Sequence, residues 1–232
     1  MTPGRPQSGL PDINRPLLAS CCTLARAVLP LYFQSITVVG REHIPATGPL
    51  LITPTHRSRW DGILVNYLLG WPAGPRLLRF MVLENQFVGI QGWLIPRMGG
   101  FPVNRDRPSR ATLKLTLDIL GQGESLVVFP EGHIHRDHDL LPVKPGILRL
   151  ALQAHQARPD LQILPVSLLY SPPTIPWWSR VQVHIAPPID LTPFQTQSSK
   201  MASQALADRL TAALATLTDT QRKPYNGDVT FS

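Results

Sequence analysis

Apolar residues recur along this chain with two different periods, and the change of period marks the predicted elements. Short runs rich in β-branched and large apolar residues are typical of buried strands, and they lie at residues 36–39, 50–53, 78–83, 126–129, 163–169 and 181–185. Helical spacing of apolar residues predicts helices at about residues 61–69, 107–120, 145–156 and 200–216. Because helix-sized connections separate the strands, the pattern predicts an α/β fold with a mixed, largely parallel sheet flanked by helices.

The segment before the first strand has the pattern of an amphipathic helix. Asp12 is a suitable cap for a helix that extends to about Phe33, with an apolar face made of Leu17, Leu24, Val28 and Leu31. Arg26 and Pro30 interrupt this stretch, and a membrane-spanning helix needs about 20 mostly apolar residues. We therefore expect the helix to lie on a membrane or against the core and not to cross a bilayer.

The same patterns divide the chain into four parts. Residues 1–11 are polar and contain prolines, and they predict a flexible tail. Residues 12–35 form the predicted N-terminal membrane-associating helical segment. Residues 36–220 form the predicted α/β domain, and residues 221–232 are polar and predict a second flexible tail.

Charge narrows the classes of partner. Lysine and arginine outnumber aspartate and glutamate by 22 to 15, which gives a formal net charge of +7, and 43% of the residues are hydrophobic, enough for a folded core. The stretch from Arg97 to Lys114 holds five basic residues and one acidic residue, which suits phosphate or an anionic membrane. No helix-turn-helix, zinc-finger or RNA-binding motif accompanies this charge, so no nucleic acid partner is predicted.

His56 and Asp61 are the candidates for acid–base chemistry. A predicted strand leads into the loop that carries His56, and Asp61 opens the next helix. A curled loop can bring the Asp61 carboxylate to Nδ1 of the imidazole, which leaves Nε2 free to remove a proton from a hydroxyl. No G-x-S-x-G motif supplies a serine, so the nucleophile would belong to the substrate. The alternative is a surface histidine beside an aspartate that caps the helix.

Three further segments carry residues suited to an anionic ligand. Arg105 follows the run GGFPVN, and its planar guanidinium fits a pair of anionic oxygens, although an exposed arginine in an ordinary turn is the alternative. Glu131 and Gly132 follow a predicted strand at its carboxyl end, where open α/β sheets bind ligands. The Glu131 carboxylate could bind substrate hydroxyls, pair with an arginine or simply occupy a turn. Lys144 precedes a predicted helix and is suited to a phosphate contact.

Taken in order, these segments resemble the glycerolipid acyltransferase family. The runs HRSRWD, GGFPVNR, FPEG and ILPVSLL are similar to the four sequence blocks of the lysophosphatidate and glycerol-phosphate acyltransferases, which share a His-x4-Asp motif. The resemblance covers roughly residues 36–189. It implies the α/β domain of this family beside an N-terminal helical element that lies on a bilayer.

The resemblance also implies a reaction and its residues. We expect an O-acyltransferase that moves a fatty acyl group from acyl-CoA or acyl-carrier protein to a hydroxyl of a lysophospholipid, with lysophosphatidate as the first candidate acceptor and phosphatidate as product. His56 would be the general base and Asp61 its partner. The residues expected to bind substrate are Arg59, Asn104, Arg105, Glu131, Gly132 and Lys144. We expect no metal ion and no cofactor other than the acyl thioester as co-substrate.

The expected location is peripheral, on the cytoplasmic side of a membrane. The partners would be the membrane lipid acceptor, the acyl donor and an anionic membrane surface. The adjacent pair Cys21 and Cys22 cannot build a disulfide framework, which favours a reducing compartment.

One block departs from the family pattern, which leaves a different acceptor and a different reaction as alternatives. The usual third block reads FPEGTR, whereas His133 and Ile134 follow FPEG here, so another hydroxylated lipid remains a candidate acceptor. His133, His135, Asp137 and His138 also fit the H-x-H-x-D-H pattern of a metal-dependent hydrolase. A non-catalytic lipid-binding protein of the membrane surface is the third interpretation, although such a protein has no need of the His56–Asp61 pair.

Overall fold

The computed structural model describes residues 12–74, 76–136, 142–196 and 198–222. Its helices are α1 (Arg15–Tyr32), α2 (Asp61–Leu69), α3 (Gly89–Arg97), α4 (Arg110–Gly121), α5 (Pro145–Ala157) and α6 (Ser199–Arg222). Its strands are β1 (Phe33–Val39), β2 (Leu50–Pro54), β3 (Leu78–Leu83), β4 (Gly100–Val103), β5 (Ser125–Val127), β6 (Gln162–Ser171), β7 (Ser179–Ile185) and β8 (Ile189–Asp190).

The strands form one mixed sheet, which confirms the predicted fold class. Their order is β1-β7-β6-β2-β5-β3-β4, and β8 pairs with β6 outside this path. The pairs β1–β7, β2–β6, β2–β5, β3–β5 and β3–β4 are parallel. Only β7 and β8 run antiparallel to β6 within the described residues. The parallel strands β2, β5, β3 and β4 therefore present their carboxyl ends at one edge of the sheet.

Alternate side chains of the central strands enter two hydrophobic cores. Leu50 and Ile52 of β2 pack in the core that includes Leu29 of α1 and Leu64 of α2. Leu51 lies in the other core, to which α4, α5 and α6 contribute. This division follows from the period of two in a strand, since successive side chains lie on opposite faces of the sheet. Both faces of the sheet are thus covered by helices.

Helix α1 buries a different face from the one that its apolar spacing indicates. Its buried residues are Leu18, Cys22 and Leu29, whereas Leu24, Val28 and Leu31 of the predicted apolar face are 64%, 38% and 62% exposed. The cap is Asn14, whose Oδ1 accepts a hydrogen bond from the Leu17 N–H at 3.0 Å, and the prediction of Asp12 as cap is wrong. A search of the described residues finds no helix with the length and hydropathy to span a membrane.

Helix α3 and strand β4 have no counterpart among the predicted elements. Gly89, Gly92 and Pro96 all lie within α3, and each has low intrinsic helix propensity. β4 is an edge strand, where its Pro102 is tolerated. A side chain at Gly100 would clash with Ile95, so this glycine allows α3 to turn directly into β4. Tertiary packing, which local propensity does not report, positions this helix–strand unit.

The proposed domain boundaries remain predictions. The tail predicted at residues 1–11 lies outside the described residues. The tail predicted at 221–232 also lies outside them, apart from positions 221 and 222 at the end of α6.

Candidate functional site

The candidate residues meet at the carboxyl ends of three parallel strands. His56 follows β2, Glu131 and Gly132 follow β5, and Arg105 follows β4. Because β2 and β5 are hydrogen-bonded neighbours, the His56 and Glu131 loops lie side by side although 75 residues separate them in sequence. β4 lies two strands beyond β5 at the end of the sheet.

His56 and Asp61 form the hydrogen-bonded pair that the sequence predicts. Nδ1 of His56 lies 2.9 Å from Oδ2 of Asp61. The same oxygen accepts the backbone N–H groups of Arg57 at 2.6 Å and Ser58 at 2.7 Å, so the loop curls around the carboxylate. The N-cap position of α2 is occupied by Trp60, and Asp61 is fully buried as the first helical residue. Asp61 therefore orients the imidazole and does not cap the helix.

Tyr170 completes the environment of Asp61, and sequence reasoning missed it. Its hydroxyl donates to Asp61 Oδ1 at 2.5 Å, within the buried part of β6. Burial, reinforced by the charge of Asp61, raises the pKa of Tyr170 well above its ordinary value, so the phenol stays protonated and remains a donor. Both carboxylate oxygens are thereby held, one by three N–H groups and the other by an O–H group.

The His56 ring is held on one side and reachable from a cavity. It stacks on Phe129 with ring centroids 4.0 Å apart and planes 22° apart, and its side chain is 21% exposed. Since Nδ1 donates to Asp61, the neutral ring presents Nε2 as a base. Nε2 makes no hydrogen bond to any residue described in the structure. The ring is therefore placed to accept a proton from a group that enters the cavity.

Glu131 supports the histidine loop from behind through Arg57, the second residue that sequence reasoning missed. Nη1 of Arg57 donates to both carboxylate oxygens of Glu131, at 2.8 and 3.1 Å, and both side chains are buried. Glu131 also accepts the backbone N–H of His56 at 3.1 Å. Glu131 does not line the cavity that His56 lines. Of the three roles left open for this carboxylate, pairing with an arginine is the one that its contacts favour.

The cavity in front of His56 has a volume of about 1050 Å³ and two chemically different parts. One part is apolar and runs between α1, α2, β3 and α3, with walls that include Ala25, Ile63, Phe80, Leu94, Ile95 and Met98. The other part holds the basic residues that follow β4 and β5. His56 lines the same cavity as both parts. The space thus suits an amphipathic molecule with an apolar chain and an anionic end.

Arg105 and Lys144 form the cationic part of the cavity around Gly132. Arg105 Nη1 donates to the Gly132 carbonyl at 3.2 Å. Gly132 has φ of +74°, and a Cβ there would lie 3.3 Å from Cδ of Arg105 and 3.7 Å from Nζ of Lys144. A hydrogen bond from Arg105, and then the charges of Arg105, Lys144 and His133, hold the pKa of Asp106 below its ordinary value. These basic groups are close enough to act on one anion together.

The two other predicted substrate-binding residues differ in position. Arg59 lines the cavity with an exposed side chain. Asn104 accepts the backbone N–H groups of Asp106 and Arg107 and donates to Glu84, so its side chain stabilises the turn that carries Arg105. Asn104 does not line the cavity. Its predicted binding role remains a prediction, and its visible contacts are those of a turn residue.

The histidine cluster does not assemble a metal site in the part of the chain that the structure covers. His133 lines the cavity, and His135 donates its backbone N–H to the His56 carbonyl at 2.7 Å. Asp137 and His138 lie outside the described residues. Among residues 12–74, 76–136, 142–196 and 198–222, no group of three histidine, cysteine or acidic side chains could hold a metal ion.

Comparison with known proteins agrees with this geometry. Residues 35–169, more than half of the chain, match the family model described as Acyltransferase. A 1-acyl-sn-glycerol-3-phosphate acyltransferase of Streptococcus pneumoniae is 27% identical over 218 residues, which cover 89% of this chain and 76% of the relative. The protein of the same name from Borreliella burgdorferi is 26% identical over 190 residues, or 78% of this chain and 72% of the relative.

A solved structure shares the fold. The 1-acyl-sn-glycerophosphate acyltransferase of Thermotoga maritima superimposes with a TM-score of 0.72 at 21% identity, over 92% of this chain and 83% of that chain. At this identity the likeness supports the architecture described above, a mixed sheet with helices on both faces.

Proposed function

Because this chain belongs to the acyltransferase family, we propose that it transfers a fatty acyl group from a thioester to the free hydroxyl of lysophosphatidate and so produces phosphatidate. The observation that carries the proposal is the hydrogen-bonded His56–Asp61 pair on the wall of a cavity that also contains Arg105 and Lys144. A base that lines the same cavity as two cationic side chains matches an acceptor with a hydroxyl and a phosphate. The names of the relatives support the same acceptor.

The reaction needs one proton transfer from the acceptor. The hydroxyl oxygen of the acceptor attacks the thioester carbonyl, while Nε2 of His56 takes the hydroxyl proton. Asp61 stabilises the imidazolium that forms, and Tyr170 with the two loop N–H groups keeps the carboxylate in place. The carbonyl re-forms as the C–S bond breaks, and the imidazolium returns the proton to the leaving sulfur, so the donor leaves as a thiol and His56 is again neutral. No acyl-enzyme intermediate is required.

The cationic part of the cavity would hold the acceptor phosphate. Arg105 offers a planar pair of donors, and Lys144 offers an ammonium group beside Gly132. Gly146 also lines the cavity in the first turn of α5, where the helix N-terminus favours an anion. Ile134 lines the cavity with 40% of its surface exposed, in the place where the family pattern has an arginine, so the basic groups come from neighbouring segments.

The apolar part of the cavity would hold an acyl chain. Its walls come from α1, α2, β3 and α3, and they exclude water from the chain next to His56. The donor is proposed as acyl-CoA or acyl-carrier protein, and no metal ion or further cofactor takes part in the proposed reaction.

We also place the protein on the cytoplasmic side of a membrane as part of this proposal. The exposed stripe of Leu24, Val28 and Leu31 on α1 adjoins Cys21 and Ala25, which line the cavity. An amphipathic helix with such a stripe lies in the membrane interface with its apolar side in the lipid. A lipid acceptor would then reach the cavity without passing through water.

The test is acyl transfer by the purified chain from acyl-CoA and from acyl-carrier protein, with and without EDTA. Lysophosphatidate and monoacylglycerol, which lacks the phosphate, serve as acceptors. We expect EDTA-insensitive transfer to lysophosphatidate and a loss of about 100-fold or more in kcat for His56→Ala. Full activity of a folded His56→Ala protein would contradict the proposed base. Hydrolysis that EDTA abolishes would instead favour the metal-dependent alternative.

A second pair of variants tests the phosphate site. Lys144→Ala should raise KM for lysophosphatidate and leave the reaction of monoacylglycerol unchanged. Lys200→Ala is the matched control, because Lys200 is an exposed lysine in the first turn of α6 outside the cavity lining. Equal effects of the two substitutions would place the phosphate elsewhere.

A further inference from the structure

Helix α3 carries apolar side chains that the cavity does not use. Leu94, Ile95 and Met98 line the cavity from this helix and its C-cap. Ile90 and Trp93 do not line it and are 84% and 51% exposed, and Val88 just before the helix is 65% exposed. Exposed apolar side chains that lie together mark an interaction surface. We call Val88, Ile90 and Trp93 the α3 patch.

The edge of the α3 patch has the chemistry of a lipid interface. The guanidinium carbon of Arg97 lies 4.3 Å from the centre of a Trp93 ring, and its Nη1 donates to the Trp93 carbonyl at 2.7 Å. A tryptophan with a basic side chain beside it is typical of the layer where acyl chains meet headgroups.

Basic residues follow the α3 patch along the chain. Arg107, Arg110 and Lys114 are exposed on the connection and helix that follow β4, while Asp106 is the single acidic residue between Arg97 and Lys114. Exposed basic residues gain energy from anionic headgroups when they lie near a membrane surface.

The helix that carries the α3 patch is attached to α1. The backbone N–H of Asn14 donates to the carbonyl of Arg97 at 2.9 Å, so the start of α1 is attached to the end of α3. Both helices also form walls of the cavity. The exposed leucines of α1 and the α3 patch thus belong to the two helices that flank the apolar part of the cavity.

We propose that the α3 patch inserts into the headgroup layer of an anionic bilayer, as a second docking element beside α1. Three side chains are too few for a stable contact with a second copy of the chain, which needs about 800 Å² from each partner. Interfacial insertion has no such minimum area, since each apolar side chain contributes separately together with the basic residues. The inference rests on one part of the proposed function, namely that the cavity receives a lipid.

The test is co-sedimentation with vesicles of phosphatidylcholine that contain phosphatidylglycerol, compared with vesicles of phosphatidylcholine alone. Ile90→Asp should lower the affinity for the anionic vesicles about tenfold or more. Met201→Asp is the matched control, because Met201 is an exposed apolar residue in the first turn of α6, a helix that does not line the cavity. It should bind like the wild type. Brominated lipids quench the fluorescence of tryptophans that enter the bilayer. Trp93→Phe should lose part of this quenching, whereas Trp177→Phe should keep the part that comes from Trp93.

Vesicle binding of Ile90→Asp equal to that of the wild type would overturn the proposal. A dimer in light scattering that Ile90→Asp dissociates would identify a second copy as the occupant of the patch. An increase in the exposure of Trp93 to quenchers when residues 1–11 are removed would instead identify that segment as the occupant of the patch.

Activity on a short-chain, water-soluble lysophosphatidate separates this proposal from the proposed function, because the activity should be equal in wild type and Ile90→Asp. Absence of that activity in both would contradict the proposed function and leave the vesicle result standing.

Discussion

Replacing Glu131 by glutamine tests whether this residue binds the acceptor or supports the fold behind the base. In the structure Glu131 accepts hydrogen bonds from Arg57 and from the backbone N–H of His56, and its side chain is fully buried. A glutamine retains one acceptor oxygen, but its NH2 group then faces a donor. The guanidinium of Arg57 keeps a charge that no carboxylate balances.

The expected cost follows from burial. Breaking a buried ion pair by removing one partner destabilises a protein by about 3–5 kcal/mol. Because glutamine keeps one acceptor oxygen, we expect Glu131→Gln to cost about 3 kcal/mol, at the lower end of this range. For a chain of this size that loss lowers the midpoint of thermal unfolding by about 6–12 °C. Asp160→Asn is the control, because the Arg158–Asp160 pair is largely exposed and its loss should cost less than about 1 kcal/mol. Urea unfolding followed by circular dichroism measures both values.

A double variant and the kinetics complete the test. Arg57→Met combined with Glu131→Gln removes the unbalanced charge and should recover part of the lost stability. In Glu131→Gln, kcat should fall because the weakened contact with Arg57 holds the His56 loop less firmly, while KM for lysophosphatidate should change less than about twofold. Wild-type stability together with a strongly raised KM would refute the supporting role and return Glu131 to acceptor binding.

Two further substitutions probe buried groups. Tyr170→Phe removes the O–H donor from Asp61 Oδ1. It should lower kcat by about 5- to 30-fold, which is about 1–2 kcal/mol of activation free energy, with little change in KM. Steady-state kinetics that show a change in KM alone would contradict this. His184 is 4% exposed, and burial lowers its pKa. Below its ordinary pKa of about 6.5 the unfolded chain therefore takes up a proton that the folded chain does not, so stability falls as the pH falls. His184→Gln should show a smaller loss of unfolding free energy between about pH 7 and pH 5 in urea titrations, and equal slopes would contradict this reasoning.

The periodicity of the sequence predicts the central sheet and most of its helices. The buried strands β2, β3, β6 and β7 and helices α2 and α5 lie within a few residues of their predicted ranges. Their apolar patterns are long enough to be distinctive. Helix α3 escaped prediction because its glycines and proline outweigh its apolar spacing, and packing against β4 determines its conformation.

The orientation of α1 shows a different limit. Apolar spacing predicts a helix and a face, but it cannot say which neighbour covers that face. Leu18, Cys22 and Leu29 meet the core, and the more conspicuous leucines Leu24 and Leu31 lie outside.

The site was predictable where its chemistry is local. His56 and Asp61 are five residues apart and lie on one loop, so the sequence offers the pair as a hypothesis beside that of a surface histidine and a capping aspartate, and the 2.9 Å contact decides between them. Arg57 and Arg59 look alike in sequence, yet one is buried against Glu131 and the other lines the cavity. The contact that distinguishes them joins residues 74 positions apart. Tyr170 is 109 residues from Asp61 and could be assigned only after the strand order was known.

The separation of the base from the cationic residues has a consequence for how substrate range can change over evolution. The groups that hold Asp61 come from the β2–α2 loop and from β6, and none of Arg57, Ser58 or Tyr170 lines the cavity. Arg105 and Lys144 lie on other loops, after β4 and before α5. If the proposed reaction is correct, we expect substitutions at positions such as Ile134 to alter the preferred headgroup without disturbing the proposed proton transfer. New specificities would then arise by single substitutions that leave the base and its supporting residues unchanged.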